Sequence, residues 1–270
     1  MGPNRSKTQR WRSTLKQLCE RQGTIEISIE GSGDDAMLRD LVWRVRLIRV
    51  ADEHLVIAAP AAARRTVQLE PGCPLVAAMA VGQNRWMFHT RVLDDPALRD
   101  GRPPVLGLEM PTTVERCLRR AFFRISTVEL KLPSVRLWPL HERASAVPVE
   151  IASRHTEESP HLIQPDMGQE FEGTLLNIGG GGLGLLVPSQ HAARLRQKSL
   201  IWINLDLGDG LPLLLMTGRL SHVRLDSNGD LHSGVVFDFS MDPAHEAFIG
   251  ERICAYAGSL QRRDSQNTAA

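Results

Sequence analysis

Short apolar runs of period two, each closed by turn residues, constrain this chain most. Ile25, Ile27 and Ile29 alternate with polar residues, and Trp43, Val45 and Leu47 alternate with Arg44 and Arg46. That period lays an apolar face along an extended strand and cannot form an amphipathic helix. Strand signals continue at His54 to Ala59, Thr66 to Leu69, Pro74 to Val81, Trp86 to Leu93 and Val105 to Met110. Between them lie Asp52-Glu53, Pro71-Gly72, Gly82-Gln83-Asn84 and a Gly-Pro-rich loop at 101–104. No run of helical length interrupts the series, which argues against a parallel βαβ sheet and for a small all-β barrel or sandwich.

A second β series begins at Ile125 to Leu132 and resumes at Val147 to Ile151, Glu170 to Asn177 and Leu183 to Val187. It ends with Leu200 to Leu207, Leu213 to Leu225 and Leu231 to Phe239. Asp226-Ser227-Asn228-Gly229-Asp230 marks an antiparallel hairpin, because Asn-Gly tolerates the positive φ of tight connections. Residues 153–168 read as an exposed loop excursion. After Asp242-Pro243 the apolar residues Phe248, Ile249, Ile253, Tyr256 and Leu260 recur three to four apart, the spacing of a terminal amphipathic helix. The expected fold is therefore all-β, two small barrels in tandem with a C-terminal helix. In a chain of 270 residues this gives an arm at 1–23, either loose or a short weakly held helix, and β domains at 24–114 and 115–263. A disordered tail at 264–270 completes the expected division.

Charge is almost balanced, with 32 basic against 31 acidic residues, which excludes a one-signed coat for nucleic acid or membrane. Anion chemistry must then be local. Cys19, Cys73, Cys117 and Cys254 are widely spaced with no CxxC pair, so neither a zinc ribbon nor a disulfide framework is expected. No stretch approaches the roughly 18 apolar residues of a membrane span. A cytoplasmic protein with no membrane insertion and no metal is the expectation.

Two segments carry candidate chemistry. In Leu118-Arg119-Arg120-Ala121-Phe122-Phe123-Arg124-Ile125, three guanidiniums cluster at the mouth of an apolar strand, between the two β units. Guanidinium keeps its charge at neutral pH, and its planar fork suits a phosphodiester. The bland reading is a solvated interdomain linker, with Phe122 and Phe123 as core. In Asn177-Ile178-Gly179-Gly180-Gly181-Gly182-Leu183-Gly184-Leu185, Asn177 offers amide donors and an acceptor, and Gly182 admits close approach of a base or phosphate. A wide connection or a bulge is the structural alternative.

Gly179, Gly181 and Gly184 also fit the dinucleotide GxGxxG spacing, with Asp206 at the expected distance. That motif must open a helix, whereas Leu183 to Val187 reads as strand. Histidine clusters, a P-loop and a GxSxG elbow are all missing, so an enzyme is not expected. A binder of single-stranded nucleic acid through Trp43, Trp86 and Trp202 is a rival that the core-like alternation around those residues opposes.

An arginine pair, three residues, another arginine, and downstream an (Asp/Asn)-x-Ser-x-x-Gly resemble the signature of the PilZ domain, which binds cyclic di-GMP. Arg119, Arg120 and Arg124 match the first part, and Asn177 and Gly182 the second, with Gly179 in place of the serine. Gly234-Val235-Val236-Phe237 and the segment 243–263 are similar to the closing strand and helix of that six-stranded antiparallel barrel. A preceding β domain with Glu70-Pro71-Gly72, and Met110-Pro111 before the arginines, resembles the N-terminal split barrel of flagellar brake (YcgR-type) proteins.

The resemblance implies a cyclic di-GMP receptor that needs no cofactor. Arg119, Arg120 and Arg124 would grip phosphates and stack on guanines, Asn177 would read a guanine edge, and Gly179 and Gly182 would lie against the ligand. It further implies a change of domain orientation that acts on flagellar stator or rotor proteins, with recruitment to the basal body and no role for nucleic acid. The alternative is a degenerate PilZ-like scaffold that works through protein contacts alone.

Overall fold

The computed structural model describes residues 11–30, 40–81, 84–95, 103–117, 132–140, 169–196, 200–208, 213–240 and 243–268. The expected strands at 125–132 and 147–151 and the excursion at 153–168 lie outside them. Chain order begins with helix α1 (Trp11–Glu20), then strands β1 (Thr24–Ile29), β2 (Val42–Val50), β3 (His54–Ala58), β4 (Ala61–Ala62) and β5 (Arg65–Thr66). Next come β6 (Pro74–Val81), β7 (Asn84–Arg91), β8 (Val105–Glu109) and β9 (Glu115–Cys117). The second half holds β10 (Ser134–Pro139), β11 (Phe171–Gly179), β12 (Gly182–Val187), α2 (Ser189–Arg196), β13 (Leu200–Leu205), β14 (Leu214–Leu225), β15 (Leu231–Phe237) and α3 (Pro243–Thr268).

In the front half the strands run in the order β9-β7-β6-β1-β2-β3-β8, each pair antiparallel. A bridge between Val92 and Leu108 brings β8 back beside the end of β7. The second half closes fully. Its order is β10-β13-β14-β15-β12-β11, and β11 pairs again with β10, giving a six-stranded antiparallel barrel with no free edge.

Alternation places the cores as expected: Ile25, Ile27, Trp43, Val45 and Leu47 point inward, while Arg44 and Arg46 are exposed. One continuous apolar core runs through both halves, because β11 pairs with β2 in parallel at Ile178 and Trp43, both 0% exposed. Trp202 is buried as well, and Trp86 is half-buried against the core, so the three tryptophans form no exposed stacking platform.

Several elements depart from the sequence reading. The arm is held more firmly than its composition implies: α1 packs on β2 with Leu15 fully buried, and the Cys19 thiol reaches the Ile48 carbonyl at 3.2 Å. Of the stretch Thr66 to Leu69 only Thr66 is strand, because Val67 N–H bonds to Pro60 and the Gln68 carbonyl accepts from Gln261 of α3. β10 and α2 have no counterpart in the expected series. The terminal helix continues to Thr268, past Asp264.

Helix α3 buries Ile249, Ile253 and Tyr256 and lies against β4, β5, β1 and β14, so it touches both halves. Gly250 allows this approach, since a Cβ there would meet the Ala62 carbonyl at 3.1 Å. Truncating a fully buried isoleucine leaves a cavity. Ile253→Ala is expected to lower the unfolding free energy by about 2–5 kcal/mol, read by urea titration with tryptophan fluorescence. Glu251→Ala, which removes an exposed ion pair with Arg65, should cost under about 1 kcal/mol.

Candidate functional site

The glycine-rich segment is a two-residue hairpin turn at the seam between the halves. β11 and β12 pair from Thr174–Leu186 out to Gly179–Gly182, leaving Gly180 and Gly181 as the turn. This is tighter than the wide connection that four glycines imply. The turn docks on the front half: Gly180 carbonyl accepts from the Arg64 backbone N–H, and a Cβ at Gly180 would touch Ala61 at 3.5 Å. On its other side Gly181 carbonyl accepts from Phe237 N–H at 3.0 Å.

Asn177 owes its position to a bulge. The β11–β12 register slips between Leu175 and Asn177, so Asn177 stands opposite Gly184. A Cβ at Gly184 would lie 2.8 Å from Asn177 Oδ1, so that glycine makes room for the amide. Asn177 Nδ2 then donates to Glu26 Oε1 on β1 at 3.0 Å. Glu26 Oε2 is paired with the guanidinium of Arg85 on β7, and both side chains are about one-fifth exposed, at 18% and 20%. From this pair a shallow depression runs over Ser28, Val42, Val76, Ala78 and Met87 on the outer face of the front sheet.

The other sequence-predicted positions divide in two. Gly179 and Gly182 face each other across the hairpin. A Cβ at Gly179 would meet only the Gly182 carbonyl, at 3.9 Å, so a serine fits there. A Cβ at Gly182 would collide with the Val235 carbonyl of β15, which gives that glycine a packing reason independent of any ligand. Arg119, Arg120 and Arg124 lie outside the described residues, but the chain on either side of them is fixed. β9 ends with Cys117 opposite Arg85, and β10 begins beside β11, where Leu175 N–H donates to the Pro133 carbonyl at 2.9 Å. The downstream end of the arginine-bearing stretch thus lies beside the Asn177 strand, whereas β9 stands on the far side of β7, β6, β1 and β2 from β11. Among the described residues no cluster of side chains could hold a metal ion, and no helix is long and apolar enough to cross a membrane.

Residues 141–253 match the model of the PilZ domain. The chain carries a PilZ domain. The match takes in Asn177, Gly179 and Gly182, while the three arginines precede it. No curated protein sequence matches the chain. Among solved structures, the PilZ-bearing chain is similar to the inhibitor of motility MotI/DgrA of Bacillus subtilis, at 14% identity, covering 89% of this chain and 98% of that one with a TM-score of 0.31. It is also similar to MrkH of K. pneumonia in complex with c-di-GMP, at 11% identity, 92% and 94% coverage and a TM-score of 0.30. A third is YcgR of Escherichia coli in complex with c-di-GMP, at 12% identity, 96% and 93% coverage and a TM-score of 0.30.

Glu26, Arg85 and Gly184 surround Asn177 and were not singled out by the sequence. Glu26 and Arg85 read as ordinary polar positions of alternating strands, and only their placement against Asn177 distinguishes them. The glycines of the hairpin differ in what they tolerate. Gly182→Ala should destabilise by about 1–3 kcal/mol through backbone collision, whereas Gly181→Ala, with nothing within 4 Å of its Cβ position, should change stability by less than about 0.5 kcal/mol. Thermal unfolding of the two variants side by side checks this.

Proposed function

We propose that this protein is a non-enzymatic receptor for cyclic di-GMP, with the ligand held at the seam between the PilZ barrel and the front half. The observation that carries the reading is the position of Asn177 at the seam, where its amide reaches across to β1. The PilZ match includes that residue, and the chain that follows Arg119, Arg120 and Arg124 enters β10 beside Leu175 of the same strand.

In this reading Arg119, Arg120 and Arg124 grip the two phosphodiesters, for which permanently charged forks are suited. Their planar faces stack on the guanines. Asn177 supplies amide hydrogen bonds to a guanine edge, and Gly179 and Gly182 leave the hairpin backbone open to the ligand. Binding at a seam can change how the halves meet, which a partner protein then reads.

By resemblance to the flagellar brake layout we place the protein in the cytoplasm. We take a flagellar stator or rotor component at the basal body as its partner. A second reading, a PilZ scaffold that no longer binds nucleotide, is favoured by Gly179, which lacks the signature hydroxyl, and by the occupation of Asn177 by Glu26.

Calorimetry with cyclic di-GMP separates the two. The receptor reading expects saturable binding, lost in Arg120→Ala and Arg124→Ala with thermal unfolding unchanged. Absence of heat at saturating ligand would leave the scaffold. Because a Cβ at Gly179 has open space, Gly179→Ser should add one hydrogen bond and tighten binding by about 0.5–1.5 kcal/mol.

A further inference from the structure

The Asn177 amide is already engaged, and its partner comes from the other half of the molecule. Glu26 accepts from Asn177 Nδ2 at 3.0 Å, 151 positions away in the chain, and Arg85 neutralises the same carboxylate. Glu26 and Asn177 are both partly shielded from solvent, so their charge and dipole interact more strongly than they would in bulk water. A cyclic dinucleotide carries two negative charges. To use the Asn177 donors it must approach a carboxylate that holds them.

We propose that Glu26 is an intramolecular competitor of the nucleotide. This side chain positions Asn177 in the unliganded protein and sets the affinity by having to release the amide when ligand enters. The inference rests on the receptor reading above. Release would uncouple β1 from β11 on that side of the seam, so occupancy is sensed by the front half at Glu26. Arg85 serves as counter-ion: it lets an acidic residue stand next to an anion site.

The test uses the full chain, cyclic di-GMP and calorimetry on wild type, Glu26→Ala, Glu26→Gln, Arg85→Met and the Glu26→Ala/Arg85→Met pair. Glu26→Gln preserves shape and one acceptor, which keeps a folded comparison available. Competition expects Glu26→Ala to bind about tenfold tighter than wild type, with Glu26→Gln between them. The double variant should also bind tighter than Arg85→Met alone, which separates release of Asn177 from exposure of Arg85.

Hydrogen exchange gives a readout that a purely structural role would not move. Ligand should speed exchange in residues 24–29 of wild type, and Glu26→Ala should show that faster rate before ligand is added. Unchanged or weaker binding by folded Glu26→Ala, with wild-type binding intact, overturns the competition and leaves the receptor reading standing. If wild type and all variants fail to bind, the receptor reading has failed and the competition falls with it.

Discussion

One parallel backbone contact governs this molecule. Where β11 meets β2, Ile178 and Trp43 are both fully enclosed, and through them the front strands and the closed barrel share a single apolar core. Once Ile178 is fixed there, its neighbours have little freedom. Asn177 is directed to β1, and the Gly180 carbonyl meets the Arg64 N–H two residues later. The signature hairpin of the PilZ barrel is thus half wall of its own domain and half interface with the other.

The β4–β5 turn that meets Gly180 is backed by α3. The β4–β5 turn keeps Ala63 and Arg64 at positive φ, 43° and 59°, a region that costs non-glycine residues energy and persists only when neighbours over-determine it. Here those neighbours are visible. Arg64 pairs with Glu246, Arg65 with Glu251, and the Gln261 side chain bonds both the Gln68 carbonyl and the Glu70 N–H. The ion pairs are largely exposed and contribute little. Buried Ile249, Ile253 and Tyr256 supply the hold. Because α3 touches both halves, it adds to the attachment that the β11–β2 seam provides.

The strands with clean alternation, such as β1 and β2, were legible because period two and burial of one face are the same fact. β10 was not, since Pro133 and Pro139 bracket its short run of Val135 and Leu137, and proline reads as a strand stop. It is tolerated at such ends because no ladder N–H is needed there. α2 is too short to show a period, and its first N–H is met by Asp230 from a distant turn, 2.9 Å away. The segment 67–69 looks like strand from composition alone, yet its backbone bonds are taken by Pro60 and by the Gln261 side chain.

What the sequence determined by itself is local: which faces are apolar, where turns fall, and which residues carry the PilZ signature with a glycine at position 179. These depend on spacing within a few residues, where stereochemistry acts directly. Only the tertiary structure decided that Gly182 is required by the Val235 carbonyl, that Gly184 clears space for Asn177, and that Glu26, paired with Arg85, meets the Asn177 amide. Those relations join different strands, and in the Glu26–Asn177 bond different halves, and position along the chain holds no information about which side chains a closed core will bring together.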